Sequence, residues 1–397
     1  MRKLTVLLAA ILAVTVIPTV AGARSKPDTV RFATFNASLN RNNVGQLVSD
    51  LSTPDNAQAK VIAEIIQRSR PDVLLINEFD FDPAAVDLFR DNYLEVSQNG
   101  AKPIDYPYAF IAPSNTGVPS GFDLNNDGTV GGPDDSLGFG FFPGQFGMVV
   151  LSKYPIVRTR TFQNFLWKDM PGALLPEDPA SGDPWYSEEE LDVFRLSSKS
   201  HWDLELKIGR ERVHFLVSHP TPPVFDGAED RNGTRNHDEI RFWADYISPR
   251  RSRYIYDDQG RRGGIDRGEP FVIAGDQNSD PLDGDSIPGA IQQLIDHPRI
   301  NDRKTPTSTG AVWASQTQGG INLNHLSDPA QDTADFADTA PGNLRADYVL
   351  PSKDLRIADS AVFWPAEGEP FFELTGVFPF PSSDHRLVWV DVKVSGR

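Results

Sequence analysis

Five side chains with oxygen donors could together hold a hard divalent cation. They are Asn36, Glu78, Asp276, Asn278 and Asp384. Carboxylate and amide oxygens suit such an ion, whereas the sequence has no Cys and no His-Glu-x-x-His run of the kind that holds zinc. These residue types therefore predict a centre for a hard cation rather than a zinc site.

Two histidines and a further aspartate accompany the oxygen donors: His219, His385 and Asp347. A metal ion that polarises a phosphoryl oxygen, a base that takes a proton from water and a charged donor to the developing oxyanion together hydrolyse a phosphoester. The set therefore indicates phosphoester hydrolysis. Structural interpretations remain for single residues, because Asn36 could form a turn, Glu78 could be a solvated carboxylate, and a lone Asp is more often a cap or an ion-pair partner.

Strands must position these side chains. Stretches rich in β-branched and aromatic residues predict strands at 30–35, 73–77, 148–151, 202–208, 213–217, 271–274, 348–350 and 387–394. Apolar periodicity predicts helices at 56–70, 236–247 and 287–295. The candidate site residues all lie beside the end of a predicted strand, where a sheet could direct them into one cleft. This mixture of elements predicts a layered α/β architecture with helices covering sheets.

Seven short segments at these strand ends form an ordered series. They are ATFN at 33–36, PDVLLINE at 71–78, GMVVLSKYPI at 147–156, LVSHP at 216–220, IAGDQN at 273–278, RADYVLP at 345–351 and SSDHRLVWVDV at 382–392. In this order they resemble the endonuclease/exonuclease/phosphatase superfamily, the DNase I-like fold, over residues 29–394. The resemblance implies a four-layer αββα sandwich of the α/β (α+β) class, in which two mixed β-sheets pack face to face with helices outside.

The resemblance also implies a catalytic Mg²⁺ or Mn²⁺. Glu78 matches the acidic residue that binds this metal in the family, and Asn36 matches the Asn beside it that orients the metal or the phosphate. Asp384 is expected to lie near the metal.

The remaining site residues match the family's catalytic groups. Asp276 and Asn278 resemble the pair that positions the attacking water or the scissile phosphate. His385 resembles the catalytic His, which Asp347 would hold in one tautomer from a neighbouring strand. His219 resembles a His that donates to phosphate or acts as general acid.

Several insertions are expected to choose the substrate, because loops on the rim of a rigid sheet commonly do so. They lie at 164–199, 222–236 and 301–345. Gln277 stands where the family usually has an aromatic residue, and we interpret it as an outward-pointing change in the substrate pocket. Three basic side chains near the second insertion could contact phosphate, although a charged helix start is more often solvated: Arg231, Arg235 and His237.

A further insertion at 120–147 contains a calcium-loop pattern. Positions 1, 3, 5, 6, 7, 8 and 12 of an EF-hand-like loop are Asp123, Asn125, Asp127, Gly128, Thr129, Val130 and Asp134. The alternate oxygen donors predict a structural Ca²⁺ site, with Val130 packing the loop down. A series of Asx turns is the alternative, because the same residues make tight turns without an ion.

The first 23 residues have the pattern of a secretory signal peptide. Arg2 and Lys3 precede an apolar, uncharged stretch at 4–20, and Ala23 completes a small-residue cleavage site. We predict cleavage near Ala23 and a secreted or periplasmic protein, with an uncleaved anchor as the alternative. Residues 24–397 are then one domain with no stable membrane span after cleavage, and we expect a monomer.

Composition and charge limit the function. The 397 residues carry a formal net charge of −17, and 39% are hydrophobic, which excludes a disordered chain. The acidic balance argues against a passive nucleic-acid coat, because Lys and Arg supply most non-specific affinity for phosphates. It does not exclude an enzyme that meets phosphate through a metal ion.

Three functions follow from these observations. The first is a secreted metal-dependent phosphodiesterase or nuclease, acting on nucleic acid or on a small phosphodiester. The second is a phosphomonoesterase or lipid phosphodiesterase of the same fold, and the third is a calcium-stabilised binding module without catalysis. An inositol 5-phosphatase is disfavoured, because RADYVL replaces the Trp-Cys-Asp-Arg motif of that group.

Overall fold

A computed structural model describes residues 28–394 of the chain. Its strands are β1 (Asp28–Leu39), β2 (Val73–Phe79), β3 (Tyr108–Ile111), β4 (Met148–Ser152), β5 (Ile156–Thr161), β6 (Trp202–Ile208), β7 (Glu211–Val217), β8 (Phe271–Asp276), β9 (Ala334–Asp335), β10 (Asn343–Leu344), β11 (Asp347–Pro351), β12 (Arg356–Val362) and β13 (Val388–Val394). Its α-helices are α1 (Gln46–Leu51), α2 (Ala57–Ser69), α3 (Pro83–Phe89), α4 (Glu188–Leu191), α5 (Arg231–Tyr246), α6 (Gln292–Ile295), α7 (Thr309–Gln318) and α8 (Phe372–Thr375). The predicted signal peptide lies outside the described residues.

Two mixed sheets form the centre of the fold. One has six strands in the order β12-β13-β1-β2-β4-β3, and the other has five in the order β11-β8-β7-β6-β5. Strand β1 pairs antiparallel with β13 and parallel with β2. The two ends of the described chain therefore meet in neighbouring central strands.

The sheets pack face to face through alternating apolar side chains. In β6, Trp202, Leu204 and Leu206 all belong to the core between the sheets, as the period of two in the sequence predicts. Across this core, the ring of Phe32 in β1 lies 5.5 Å from the ring of Phe215 in β7.

Helices cover the outer face of each sheet. Helix α2 buries Ile62, Ile65 and Ile66 against β1 and β2, while α5 buries Ile240 and Trp243 against the five-stranded sheet. The predicted four-layer αββα sandwich is therefore confirmed. No helix within residues 28–394 is long and apolar enough to cross a membrane.

Several local predictions were wrong. Asn56, predicted as the first residue of a helix over 56–70, instead caps α2, because its side chain accepts from Ala59 N at 3.0 Å. Helix α5 starts at Arg231 rather than at 236. The third predicted helix, at 287–295, is reduced to the single turn of α6, and 288–291 forms turns instead.

Candidate active site

The candidate site lies where the two sheets meet. Asn36 from β1 donates through Nδ2 to Glu78 Oε1 of β2 and to Asp276 Oδ2 of β8, each at 3.1 Å. Since Asp276 belongs to the other sheet, this one amide joins the two sheets. Asn77, beside Glu78, also accepts from the backbone N–H of Asp276 at 3.4 Å.

The backbone is unusual at three positions around this centre. Ser38, Glu78 and Asn278 have φ values of 47°, 58° and 50°. Residues other than glycine rarely adopt this left-handed region, and those that do are concentrated at functional sites. Contrary to the sequence analysis, Asn36 does not end its strand, because β1 continues to Leu39 with an irregularity in its pairing to β2. Such bulges redirect side chains next to active sites.

His385 is held by a hydrogen-bonded chain. Its Nδ1 lies 2.8 Å from Asp347 Oδ2, and the hydroxyl of Thr333 donates to the same oxygen at 2.9 Å. This leaves Nε2 of His385 at 3.6 Å from Asp276 Oδ2. The predicted approach of His385 and Asp347 is present, but not through neighbouring strands: Asp347 opens β11 of one sheet and His385 precedes β13 of the other.

His219 approaches the same carboxylate from the other side. Its Nε2 lies 3.4 Å from Asp276 Oδ2, whereas its buried Nδ1 has no hydrogen-bond partner among the described residues. The side chain is 3% exposed. Unlike His385, this imidazole has no carboxylate on its Nδ1 to stabilise a positive charge.

The two histidines consequently have opposite pKa shifts. Burial, with the nearby positive charges of Lys199 and His385, holds the pKa of His219 well below its ordinary value. Burial alone would also lower the pKa of His385, but Asp347 and Asp276 outweigh it and raise that pKa well above the ordinary value. At neutral pH the metal-free protein therefore has a neutral His219 and a cationic His385.

Burial also changes the carboxylates. It raises the pKa of Asp276 to about 7, although the His385 cation opposes the shift. It likewise raises the pKa of Glu78, against the effect of the Asn36 hydrogen bond. A buried carboxylate that resists ionisation is ready to take up a cation or a proton.

The donors at this centre fit a hard divalent cation. One carboxylate oxygen of Asp276, one of Asp347 and one ring nitrogen of His385 lie within 4.8 Å of one another. Asp347 and His385 already hydrogen-bond each other, so the carboxylate oxygens available to a metal are those of Glu78 and Asp276, with the Asn36 amide between them. Burial raises the pKa of both carboxylates, which favours a compensating positive charge there.

The structure places the other predicted residues less centrally. Asp384 is half-buried, and its Oδ1 accepts long hydrogen bonds from the hydroxyls of Ser38 at 3.5 Å and Ser383 at 3.4 Å. Asn278 donates its backbone N–H to Asp276 Oδ1 at 2.9 Å and its side-chain amide to Pro220 O at 3.1 Å. It thus fixes the orientation of Asp276.

The side chain of Gln277 points inward, which contradicts the outward orientation predicted from the sequence. It is fully buried, its backbone N–H donates to Ala346 O at 2.8 Å, and its side chain reaches Ser218 Oγ at 3.4 Å. It therefore packs behind the site and does not line a substrate pocket.

Two residues at the site were missed from the sequence. Lys199 is buried beside Glu78 and Asp276, and burial lowers the pKa of its ammonium. Thr333 accepts the N–H groups of Ala346 and Asp347 at 3.0 and 2.9 Å besides donating to Asp347. A signal existed for Lys199, the only charged residue in the stretch 196–200, but none marks Thr333.

The predicted calcium loop has the turns that its sequence requires. Asp123 accepts the N–H groups of Asp127 at 3.1 Å and Gly128 at 2.8 Å, and Asp127 accepts that of Thr129 at 2.8 Å. Asn125 contacts Asp127 at 3.3 Å. The bond from Thr129 N–H to Asp127 is an Asx turn of the kind named as the alternative, whereas the two bonds to Asp123 span four and five residues. The calcium site stays a prediction.

The end of this loop differs from the expected pattern. Val130 is 63% exposed and does not pack the loop down; the buried Leu124 does so instead. Asp135, not Asp134, accepts the N–H groups of Leu124 and Gly131, each at 2.7 Å. Asp134 is exposed and lines a neighbouring cavity.

The fold and this cluster define a class of protein: an αββα sandwich whose polar cleft is built for hydrolysis of phosphoesters. The sequence profile of the Endonuclease/Exonuclease/phosphatase family matches residues 33–385. The chain belongs to this family, and it is an enzyme of the phosphoester hydrolase class.

Solved structures are similar at low sequence identity. An endonuclease/exonuclease/phosphatase from Beutenbergia cavernae is 17% identical, with a TM-score of 0.50 over 93% of this chain and 72% of that chain. Sphingomyelinase C from Streptomyces griseocarneus is 16% identical, with a TM-score of 0.47 over 92% and 99% of the two chains. Truncated TDP2 from Caenorhabditis elegans is 13% identical, with a TM-score of 0.43 over 92% and 98%. No curated protein matches the sequence.

Proposed function

We propose that the protein is a secreted phosphodiesterase that depends on a divalent metal ion. The observation that carries this proposal is the contact of Asn36 with both Glu78 and Asp276, which brings the catalytic carboxylates of two sheets into one buried centre. His385 and His219 approach the same Asp276 oxygen. A polar cluster with only a structural role would not need one neutral and one cationic histidine beside the same carboxylate.

The residues of the chain divide the reaction between them. Asp276, with its pKa of about 7, is matched to accept a proton from water near neutral pH. The water oxygen then bonds to phosphorus while the ester P–O bond breaks. The departing oxygen takes a proton from solvent, and Asp276 returns its proton to solvent. Cationic His385, held by Asp347, donates to a phosphoryl oxygen and stabilises its developing charge.

Glu78 and Asn36 would hold Mg²⁺ or Mn²⁺ beside Asp276, which stays free to accept the proton. Such an ion polarises a phosphoryl oxygen and offsets its negative charge. Without it, the carboxylates would repel an anionic substrate.

A diester substrate is favoured over a monoester by charge. The carboxylates of Glu78, Asp276 and Asp384 outnumber the two nearby cations, the Lys199 ammonium and the His385 imidazolium. A diester brings one negative charge to this setting where a monoester brings up to two, and each added charge near carboxylates is unfavourable.

The test is an assay of the purified mature protein with Mg²⁺, Mn²⁺ or Ca²⁺. Its substrates are plasmid DNA, bis-p-nitrophenyl phosphate and p-nitrophenyl phosphate. We expect metal-dependent turnover of a diester, and a loss of about 10³-fold or more in Glu78→Gln, which keeps the shape but removes the charge that a cation needs. The exposed Glu373→Gln is the matched control.

Other results would redirect the proposal. Faster turnover of the monoester would favour a phosphomonoesterase, and unchanged turnover of Glu78→Gln in saturating Mg²⁺ would reject Glu78 as a ligand. No turnover of any phosphoester would favour the non-catalytic binding module. Secretion is tested separately, by whether the exported protein begins directly after Ala23.

A further inference from the structure

A cavity of about 560 Å³ adjoins the catalytic centre. Glu78, Lys199 and His219 form its inner end, so a ligand in the cavity reaches the reacting groups directly. Its volume is in the range of small-molecule sites. We call this cavity the side pocket.

Three of the four insertions build the side pocket. Its walls are mainly apolar and aromatic: Leu124, Phe139 and Phe146 from 120–147, Tyr186 and Phe194 from 164–199, and Phe225 from 222–236. Leu124, Tyr186 and Phe194 also pack into the core beneath α5, so these walls are fixed to the sandwich. Their convergence beside the reacting groups indicates that they choose the substrate.

Hydrogen bonds hold the walls in place before any ligand binds. The indole of Trp185 donates to Leu124 O at 3.1 Å, and Asn126 donates to Trp185 O at 3.2 Å, which ties two insertions together. At the third, the side chain of Asn232 donates to Val224 O at 2.7 Å. The pocket is therefore preformed, which limits the entropy lost on binding.

The arginines in the walls are occupied by the protein itself. Arg235 is buried and donates to the carbonyls of Leu196 and Leu137, while Arg231 is paired with Glu229. From the sequence, both could be solvated or bind phosphate, and the burial of Arg235 contradicts the solvated interpretation. A second phosphate group would thus find no unpaired arginine here, and it would meet the carboxylate of Asp134.

Two rings remain open to a ligand at the rim. Phe225 is 86% exposed and Phe139 is 47% exposed. Phe225 also has a φ of 67°, a conformation that costs free energy for a bulky residue and is concentrated at ligand-binding loops. Exposed aromatic rings at a cavity mouth offer apolar area that a ligand can cover.

We propose that the side pocket binds an apolar, aromatic-sized substituent of a small phosphoester, while the phosphate lies between Glu78 and His219. This inference rests on the proposed function and assigns its substrate class: a compact amphipathic diester with one phosphate, not a polynucleotide. Apolar burial supplies the affinity that the acidic surface cannot supply through charge.

The test compares two phosphinates that carry one negative charge and no ester bond to cleave. They are dimethylphosphinate and methyl(1-naphthylmethyl)phosphinate, titrated calorimetrically in the presence of Mg²⁺. We expect the naphthyl compound to bind at least about tenfold more tightly, as burial of its two fused aromatic rings predicts. The double variant Phe139→Ala/Phe225→Ala should lose most of this preference, and Phe378→Ala, a similarly exposed ring at 81% outside the pocket, should retain it.

The outcomes separate this inference from the proposed function. In Glu78→Gln both compounds should weaken while their ratio persists. Equal affinities in the wild type, or an unchanged ratio in the double variant, would overturn the pocket even if the enzyme hydrolyses diesters. A persistent ratio in a protein without turnover would keep the pocket and reject the hydrolase.

Two controls complete the experiment. If the double variant unfolds, the single Phe225→Ala replaces it, because that ring is almost wholly exposed. The same variants are also tested for binding to phosphatidylcholine and phosphatidylglycerol vesicles. If the phenylalanines are needed for vesicle binding and not for the naphthyl preference, the rim is a membrane-contact surface and the pocket proposal is wrong.

Discussion

The two sides of the catalytic cleft are built on different principles. On one side, His385 is connected by hydrogen bonds to Asp347 and Thr333 and prefers the cationic form. On the other, His219 has no partner for Nδ1 among the described residues and prefers the neutral form. Both rings lie at a similar distance from one Asp276 oxygen, so the surroundings, and not the residue type, set their charge.

The difference extends to the segments behind each histidine. Behind His385, part of the 301–345 insertion supplies the polar support of Thr333. Behind His219, the other three insertions supply the apolar walls of the side pocket. The comparison indicates that one side is made for chemistry and the other for choosing the substrate.

The largest loss of kcat should come from substitutions in the hydrogen-bonded pair of His385 and Asp347. His385→Ala should lower kcat by about 10³-fold, within the range for loss of a positioned acid or base. Asp347→Asn should lose a large part of the same factor, because the ring remains but is poorly held. Since the two residues act as one unit, the double variant should resemble His385→Ala. Steady-state kinetics check this, and a double variant that loses the product of the single effects would contradict the pairing.

Removal of the neutral histidine should cost less. His219→Gln keeps a polar side chain but no imidazole, and we expect a loss of about 10²-fold. Because the pKa of His219 lies well below its ordinary value, this ring does not titrate near neutrality. The pH–rate profile above about pH 6 should therefore keep its shape. A limb of the profile that disappears in His219→Gln would show that this ring does titrate there.

Thr333 tests whether the polar side needs its support. Thr333→Val removes the donor to Asp347 and the acceptor for two N–H groups, so we expect kcat to fall about tenfold and stability to fall by about 1–3 kcal/mol. Thr333→Ser restores the hydroxyl and should recover most of both. Kinetics and urea unfolding measure the two effects, and Thr333→Ser with the defect of Thr333→Val would contradict the role of the hydroxyl.

The metal-free protein should show opposite pH dependence for the two histidines. The pKa of His385 is raised in the folded state, so its stabilising contribution is complete below the unfolded pKa of about 6.5 and is lost as pH rises through the folded pKa. The pKa of His219 is lowered, so its contribution is lost as pH falls below about 6.5.

Urea unfolding in EDTA measures this contrast. From about pH 7 to about pH 5, the unfolding free energy of the wild type should fall by more than that of His219→Gln. As the pH rises above neutrality, the unfolding free energy of the wild type should fall by more than that of His385→Ala. Slopes of the same sign for both histidines would refute the assigned charges.

The smallest effect concerns the calcium loop, which carries part of the apolar side. If Ca²⁺ binds only the folded state, it should raise the melting temperature. Asp123→Ala together with Asp127→Ala removes two anionic ligands and should abolish this shift while leaving kcat largely unchanged. Thermal melts with Ca²⁺ or EDTA test this, and the same shift in the double variant would reject the site.

The sequence by itself determined the elements and the order of the chemical groups. Period-two patterns such as that of β6 and the apolar stripe of α2 identify strands and helices, because each residue's burial follows from local geometry. The ordered motifs around Glu78, Asp276 and His385 likewise predicted the sandwich and the kind of site. These features depend on neighbours in the chain and on family-wide motifs.

Tertiary structure alone decided which groups touch. Thr333 lies 14 residues from Asp347 and supports it, Gln277 points inward, and Asp135 takes the place expected for Asp134. The charges of His219 and His385 and the convergence of three insertions on one pocket were also invisible in the sequence. Each depends on burial and on partners distant in the chain, and desolvation and Coulomb energies are set by those three-dimensional surroundings rather than by residue type.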